Sequence, residues 1–283
     1  MKLIRKISDL RESLKTYDDK SSTGFIPTMG FLHEGHLSLI KKSISENDVT
    51  IVSIFVNPIQ FGPEEDFGTY PRDLKKDTIL LESFGVDILF HPEKEEIFPE
   101  NFNTTVKVSE LDNVLCGASR PGHFDGVTTI VMKLFNIIDP DIAYFGQKDA
   151  QQLIIIKKMT MDLNLDVKLK SIPVVREKDG LAMSSRNIRL SEKGRKSANI
   201  LNRALKISKE TIVNNKVFDP DLIKELIRKM IESEKSIIID YIEIVSLDLL
   251  EKIKKIDMNN TLVAVAINID GVRLIDNFIL GDI

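Results

Sequence analysis

The sequence predicts an α/β protein in which a parallel-sheet domain over residues 1–175 precedes a smaller α+β domain over residues 176–283. In the first part, short β-branched runs alternate with longer helical patterns, and this order is typical of a parallel sheet covered on both faces. In the second part, two helical patterns precede strand patterns, which favours a separate α+β unit. The polar, turn-prone segment 176–180 (REKDG) marks the predicted boundary.

The elements of the first part follow from periodicity and from turn residues. Leu37, Ile40 and Ile44 share one helical face. Gly85 is expected to end another helix as its C-cap, and residues 58–71 form a polar loop punctuated by glycine and proline. Strands are predicted at 23–28, 50–57, 86–90, 141–145 and 167–174, and helices at 37–46, 72–84, 127–138 and 151–163.

The second part combines amphipathic helices with a hairpin. The Asp270-Gly271 pair between two apolar strand patterns is typical of a two-residue type I′ turn. Helices are predicted at 191–213 and 220–233, and strands at 237–245, 262–269 and 272–278.

Composition and charge exclude several classes of protein. The 283 residues are 42% hydrophobic and 29% charged, which is ordinary for a globular protein and excludes a disordered one. Apolar stretches such as 262–267 are far shorter than the ~20 residues of a membrane helix, and the charged N-terminal segment does not resemble a secretory signal. A net charge of −4 gives no basic footprint for nucleic acid. The single cysteine, Cys116, permits a reducing cytosol. We therefore expect no nucleic-acid partner and no membrane association.

The segment PTMGFLHEGH (27–36) places two histidines where a buried strand ends and a helix is predicted to start near Gly35. The first turn of a helix exposes unpaired N–H groups and the positive end of the helix dipole, which suits a phosphate. Gly30 and Gly35 let the backbone approach a ligand. The imidazoles of His33 and His36 can donate to phosphate oxygens and change charge near neutral pH. Two surface histidines or a two-ligand metal site are the alternatives, although the spacing is not that of the HExxH zinc helix.

Two further segments carry groups suited to a polyphosphate. MSSRN (183–187) sets adjacent hydroxyls beside Arg186, whose planar guanidinium can bind phosphate oxygens. FGQKDAQQ (145–152) lies at the carboxyl end of a predicted parallel strand, where ligands of open α/β sheets bind. Lys148 could neutralise a phosphate, and Asp149 could bind the ligand or cap the next helix. Either segment alone also fits a solvated loop.

Two other segments place polar groups in predicted loops. VNPIQFG (56–62) follows the strongest strand pattern, and the neutral amides of Asn57 and Gln60 can bind a carboxylate while leaving it reactive. SRPGHFDG (119–126) places Arg120 in an extended stretch before a proline. An Asn-Pro turn and a solvated arginine are the corresponding structural alternatives.

Six segments, in this order and spacing, resemble the pantothenate synthetase family over essentially the whole chain. The HxGH turn and the late serine-rich basic loop alone resemble the wider nucleotidyl-transferase superfamily, which includes the class I aminoacyl-tRNA synthetases. The six are PTMGFLHEGH (27–36), FVNPIQFG (55–62), YPRDLKKD (70–77), RPGHFDGV (120–127), FGQKDAQQL (145–153) and DGLAMSSRN (179–187).

The resemblance implies a Rossmann-like N-terminal domain, a smaller C-terminal domain that closes over the nucleotide, and a cytoplasmic homodimer. It implies the ATP-dependent condensation of (R)-pantoate with β-alanine. The pantoate carboxylate would attack the α-phosphate of ATP, and the β-alanine amine would then attack the resulting pantoyl adenylate. Mg²⁺ is expected to accompany ATP.

The resemblance also implies roles for individual residues. His36 matches the family's proton donor, and His33 and Lys148 are expected to act with it on the phosphates. Asp77 is the candidate for binding a metal. The expected contacts to pantoate and β-alanine are Gln60, Gln152, Asn57 and Arg120. The expected ATP contacts are Met29, Gly30, Phe31, Leu32, His33, Glu34, Gly35, His36, Gly146, Gln147, Lys148, Asp149, Val175, Met183, Ser184, Ser185 and Arg186.

Three departures from the family's pattern bear on these roles. Gln147 stands where the family commonly has glutamate, which should leave Lys148 more positive. Asp125 adds negative charge near the expected site. Lys76 replaces the acidic neighbour of Asp77, which weakens the case for a metal held by protein carboxylates.

Two other functions are weighed against the ligase. An adenylyl transferase with a phosphate-bearing acceptor should need extra cations around residues 57–60, and that stretch is neutral. A nucleotide-binding module without turnover should have lost a member of the histidine pair, Lys148 or the paired serines, and all are present.

Overall fold

A six-stranded parallel sheet forms the N-terminal part of the molecule, as the sequence predicts. The computed structural model describes residues 1–18, 20–63 and 65–282, so position 64 of the predicted loop lies outside the described residues. The strands are β1 (Lys2–Ile4), β2 (Thr23–Thr28), β3 (Val49–Ile54), β4 (Ile88–Phe90), β5 (Ile142–Gly146) and β6 (Lys168–Ile172). The helices are α1 (Ile7–Leu14), α2 (Glu34–Glu46), α3 (Leu74–Phe84), α4 (Lys94–Ile97), α5 (Cys116–Ser119), α6 (His123–Ile138) and α7 (Ala150–Asp162).

Apolar side chains bury both faces of this sheet. Alternate residues of a strand point to opposite faces, so Phe25 packs in the core beneath α6 and α7, whereas Ile26 packs in the core beneath α2 and α3. All six residues of β3 are buried, which explains why this strand is a nearly continuous apolar run.

The strand order β1-β4-β3-β2-β5-β6 creates a crevice at the centre of the sheet. The chain leaves β2 toward β3 on one side, whereas β5 lies on the other side, and such a switch point is where ligands bind in open α/β sheets. β2 and β5 pair only through Gly24–Ile142 and Phe25–Ala143. Beyond these pairs the two strands separate, and their carboxyl ends frame the opening.

A three-stranded antiparallel sheet with three helices forms the remainder. The turn between β8 and β9 has positive φ at Asp270 (53°) and Gly271 (72°), as the predicted type I′ turn requires. One face of this sheet packs against α9 and α10, and Val245 and Leu262 pack into the core of the parallel sheet. The elements are α8 (Glu192–Ala198), α9 (Ile200–Val213), α10 (Pro220–Glu232), β7 (Ile238–Val245), β8 (Asn260–Ile269) and β9 (Val272–Gly281).

Two helix boundaries differ most from the prediction, and two N-terminal elements were not predicted. The helix predicted over 191–213 is divided into α8 and α9, because Asn199 between them has ψ of −14° and interrupts the helical hydrogen-bond ladder. The helix predicted to begin at 127 begins at His123, which brings that histidine to the end of the sheet. The first strand and first helix were missed, because β1 has only three residues and α1 buries only Leu10.

Among the described residues, every helix is too short or too polar to cross a bilayer.

Candidate active site

The crevice at the carboxyl ends of β2 and β5 opens into a cavity of about 250 Å³. A neighbouring cavity of about 470 Å³ lies between the two sheets and shares Arg120, His123 and Lys148 with it. The first cavity brings together most of the residues predicted from the sequence, namely Met29, His33, Gly35, His36, Asn57, Gln60, Arg120, Gly146, Lys148, Asp149, Gln152, Val175, Met183, Ser184, Ser185 and Arg186. The predicted residues Gly30, Phe31, Leu32, Glu34, Gln147 and Asp77 do not line it.

The side chains of His33 and His36 cap the start of helix α2 by accepting backbone hydrogen bonds. His33 Nδ1 accepts from the Gly35 N–H at 3.2 Å, and His36 Nδ1 accepts from the His33 N–H at 3.3 Å. The two rings lie side by side with centroids 4.1 Å apart. Because both Nδ1 atoms accept hydrogen bonds, each neutral ring carries its proton on Nε2.

Burial and nearby positive charge keep both histidine rings uncharged at neutral pH. Burial, aided by the nearby Lys148 ammonium, lowers the pKa of His33 to about 4. Burial, the His33 ring and Lys148 hold the pKa of His36 well below its ordinary value. The charge change near neutral pH that the sequence suggested is therefore wrong for this state, and the pair instead presents two neutral Nε2–H donors.

Asp77 holds the turn that precedes α2. Its carboxylate is buried and accepts from the Phe31 N–H at 2.7 Å and the Leu32 N–H at 2.8 Å. Gly30 and Phe31 both have positive φ, and a Cβ on Gly30 would lie 3.1 Å from an Asp77 oxygen. Asp77 thus fixes the backbone turn that leads into the two histidines, although Asp77 itself does not line the cavity.

These contacts argue against the predicted metal role of Asp77. Both of its oxygens already accept backbone hydrogen bonds. Within 1–18, 20–63 and 65–282, no three histidine, cysteine, aspartate or glutamate side chains are grouped as a metal site. The residues present therefore do not fit a magnesium ion held by the protein itself.

Asp77→Ala should lower the free energy of unfolding by about 3 kcal/mol or more, because two backbone N–H groups lose their buried acceptor. Asp73→Ala is the matched control, since Asp73 accepts only the Lys76 N–H at the start of α3 and should cost about 1 kcal/mol. Urea unfolding measures both. Equal losses would contradict the role in the turn, and a stabilisation by Mg²⁺ that is lost in Asp77→Asn would favour the metal.

Asn57 and Gln60 form an amide pair on the wall of the cavity. Asn57 is buried, and its Nδ2 donates to Gln60 Oε1 and to the Gly126 carbonyl, both at 3.0 Å. Gln60 Nε2 donates to Met29 Sδ at 3.2 Å. A Cβ on Gly126 would collide with the Ile59 carbonyl and the Gln60 Cα, so glycine is required where α6 meets this loop.

His123 is a cavity residue that the sequence analysis did not select. Its Nδ1 bonds the Gln60 carbonyl at 2.7 Å, and its Nε2 accepts from Arg120 Nη1 at 2.9 Å. Burial, together with the Arg120 charge, lowers the pKa of His123 to about 4. It thus orients both Gln60 and Arg120 as a neutral ring. Its spacing of three residues from Arg120, in a chain with four histidines, was the available signal.

Lys148 reaches the cavity from a short 3₁₀ turn at the end of β5. Its side chain is 22% exposed, and its Nζ lies 3.4 Å from Asp149 Oδ1. Asp149 occupies the N-cap position of α7 but makes no side-chain capping bond, which argues against the capping alternative. The side chain of Gln147 turns away from Lys148 and donates to Asn277 Oδ1 at 3.3 Å.

The serine-rich loop closes the cavity from the opposite side. Arg186 donates to both oxygens of Asp66, at 2.9 and 3.1 Å, and Arg189 donates to the same carboxylate at 2.9 Å. Glu65 forms a matching fork with Arg120, with two bonds of 2.6 Å. These acidic neighbours therefore form ion pairs with the arginines that were predicted to bind ligand.

The comparisons with known proteins cover nearly the whole length of the chain. The model of the pantoate-beta-alanine ligase family matches residues 2–279. Pantothenate synthetase of Caldicellulosiruptor bescii is 53% identical over 281 residues, covering 99% of both chains. The crystal structure of pantothenate synthetase from Thermus thermophilus superposes with a TM-score of 0.93 at 40% identity, covering 100% of both chains.

A third relative carries ligands. The structure of pantoate-beta-alanine ligase from Francisella tularensis, complexed with beta-gamma ATP and beta-alanine, has a TM-score of 0.82 at 35% identity. It covers 99% of this chain and 97% of its own. The match of the family model, the identity of the relatives and the shared fold lead to one conclusion: this chain belongs to the pantoate–β-alanine ligase family, and it is an enzyme.

Proposed function

We propose that this enzyme condenses (R)-pantoate with β-alanine at the expense of ATP, giving pantothenate, AMP and pyrophosphate through pantoyl adenylate. The observation that carries the proposal is the pairing of two donor sets across one crevice. Neutral Nε2–H groups and the Lys148 ammonium suit a polyphosphate on one side. The neutral amides of Asn57 and Gln60 suit an acid on the other.

In the first step, a pantoate carboxylate oxygen forms a bond to the α-phosphorus as the bond to the pyrophosphate oxygen breaks. Negative charge builds up on the phosphate oxygens, and fixed donors in a site that excludes water stabilise it most effectively. His33 and His36 would donate from Nε2, and Lys148 would supply a positive charge. Helix α2 begins at this point, so its dipole adds to the same effect.

The pantoate carboxylate must keep its lone pairs available for attack, so neutral hydrogen-bond donors suit it better than charged ones. Gln60 and Gln152 line the cavity and would bind pantoate through amide groups that neither protonate its carboxylate nor neutralise it. A phosphate-bearing acceptor would need extra positive partners at this wall, and the stretch 57–60 that contributes to it carries none. This arrangement favours the ligase over an adenylyl transferase.

In the second step, the β-alanine amine attacks the acyl carbon of pantoyl adenylate, the amide bond forms, and AMP leaves with the electron pair of the acyl–oxygen bond. The uncharged amine attacks, and the proton that it loses as the amide forms passes to solvent. We further propose that Mg²⁺ enters bound to ATP, that residues 1–175 and 176–283 act as two domains, and that the enzyme is a cytoplasmic homodimer. These last proposals rest on the family's pattern.

The decisive experiment measures pyrophosphate release from MgATP with pantoate alone, followed by pantothenate formation after β-alanine is added. We expect pyrophosphate to depend on pantoate, and pantothenate to appear only with β-alanine. If pantoate gave no pyrophosphate while a phosphate-bearing acceptor did, the adenylyl-transferase alternative would replace the ligase.

Gln60→Ala should raise the KM for pantoate by about 10-fold or more, because a hydrogen bond to a charged group is worth about 1.5–3 kcal/mol. Gln60→Glu keeps an acceptor for Asn57 but adds a negative charge, so the increase should be larger still. Steady-state kinetics at saturating ATP measure both variants. If both variants kept the wild-type KM for pantoate, pantoate would have to bind at another wall of the cavity.

A further inference from the structure

Strand β9 of the antiparallel sheet holds the loop that carries Lys148. Asn277 on this strand is 4% exposed. Its Nδ2 donates to the carbonyl oxygens of Gln147 at 3.1 Å and Lys148 at 2.9 Å, and its Oδ1 accepts from Gln147 Nε2. Both amide protons of Asn277 are thus used on two consecutive peptide units of the loop.

The strand holds Asn277 itself in one position. Asp276 is 1% exposed and forms a fork with Arg176, at 2.6 and 3.0 Å, directly after Val175 on the cavity wall. The same carboxylate accepts the Asn277 N–H at 2.8 Å. Asn277 is also paired with Ala264 on the middle strand of the sheet. It is therefore a rigid anchor facing a short 3₁₀ turn that has no side-chain cap of its own.

We propose that Asn277 is a positioning residue for the adenylation step, which holds the Gln147 and Lys148 backbone so that the Lys148 ammonium meets the phosphates. The inference rests on the proposed function. A lysine is a point charge on a flexible four-carbon stem, so its placement depends on how well its backbone is fixed. A displacement of about 1 Å in a catalytic group can cost about 10²-fold in rate.

Asn277→Ala should lower kcat for pantoate-dependent pyrophosphate release by about 10–100-fold. It should slow the second half-reaction, started from supplied pantoyl adenylate, far less, because only AMP leaves in that step and no charge builds up on a triphosphate. Asn268→Ala on the neighbouring strand is the matched control and should keep both rates. Asn277→Ser covers the case in which the alanine variant does not fold, since its hydroxyl retains one donor.

A double-mutant cycle separates positioning from general stability. In a Lys148→Ala background, Asn277→Ala should slow adenylation no further, because the group that it positions is already missing. Independent, multiplying losses would overturn the inference, as would a near-normal kcat in Asn277→Ala or equal losses in both half-reactions. A wild-type enzyme that releases no pyrophosphate with pantoate would instead overturn the proposed function, and that result is seen before any variant is tested.

Discussion

Replacing His36 by alanine should slow pantoate-dependent pyrophosphate release by about 10²–10³-fold, the usual loss when one fixed donor to a developing oxyanion is removed. The structure gives this residue a neutral ring whose free proton lies on Nε2, because Nδ1 is occupied by the His33 N–H. Burial, the His33 ring and the Lys148 charge lower the pKa of His36, so its ring stays uncharged at neutral pH. The loss should therefore fall on kcat for adenylation and should spare the reaction of supplied pantoyl adenylate with β-alanine.

His36→Asn separates the two roles of this histidine. The asparagine oxygen can still accept the His33 N–H near the Nδ1 position, but no donor remains at the Nε2 position. We expect this variant to keep wild-type stability in urea while losing adenylation as severely as the alanine variant. If it were as active as wild type, capping of the helix rather than donation to phosphate would be the role of His36.

Lys148→Ala should abolish most adenylation, with an expected loss of about 10²–10³-fold in kcat, since it removes a full positive charge from a partly buried site. Lys148→Met is the matched variant, because it keeps most of the stem without the charge. Pyrophosphate release under single-turnover conditions measures the chemical step directly. Near-normal turnover of both variants would refute the assignment.

The Lys148 variants carry a second readout that does not depend on turnover. Burial, together with the lysine charge, lowers the pKa of His33 to about 4. Removing the charge should therefore move that pKa upward toward its ordinary value, because one of the two forces against the protonated ring is gone. NMR titration of the ring protons measures the shift. A constant His33 pKa would mean that the lysine points away from the histidine pair in solution.

The sequence predicted the larger features of this molecule because they depend on local chemistry. The apolar run of β3, the αL position of Gly85 after α3 and the Asp270-Gly271 turn were each predicted from a few neighbouring residues and are confirmed. The parallel sheet, the antiparallel sheet and the membership of the family are also confirmed. The break at Asn199 was missed because the two helices are separated by this one residue, which itself keeps a right-handed helical φ of −61°.

Contacts between distant segments were beyond what the sequence could predict. Asp77 was interpreted as a metal ligand because it keeps one of the family's pair of acidic residues, but it bonds N–H groups 45 and 46 residues away. Asn277 was not selected, since its partners lie 129 and 130 residues away, and His123 was passed over although Arg120 lies only three residues before it. The roles assigned to residues that line the cavity stay predictions until the variants are measured.

The carboxylates of Glu65 and Asp66 compete with any anionic ligand for the arginines of the site. They form forked pairs with Arg120 and Arg186, and Lys148 lies next to Asp149. A single small anion such as sulfate could compensate for the loss of only one of these pairs, and the displaced carboxylate would remain nearby as a competitor. A triphosphate brought together with an organic acid can replace several pairs at once. These ion pairs thus favour the joint binding of a triphosphate and an acid over the binding of a single simple anion.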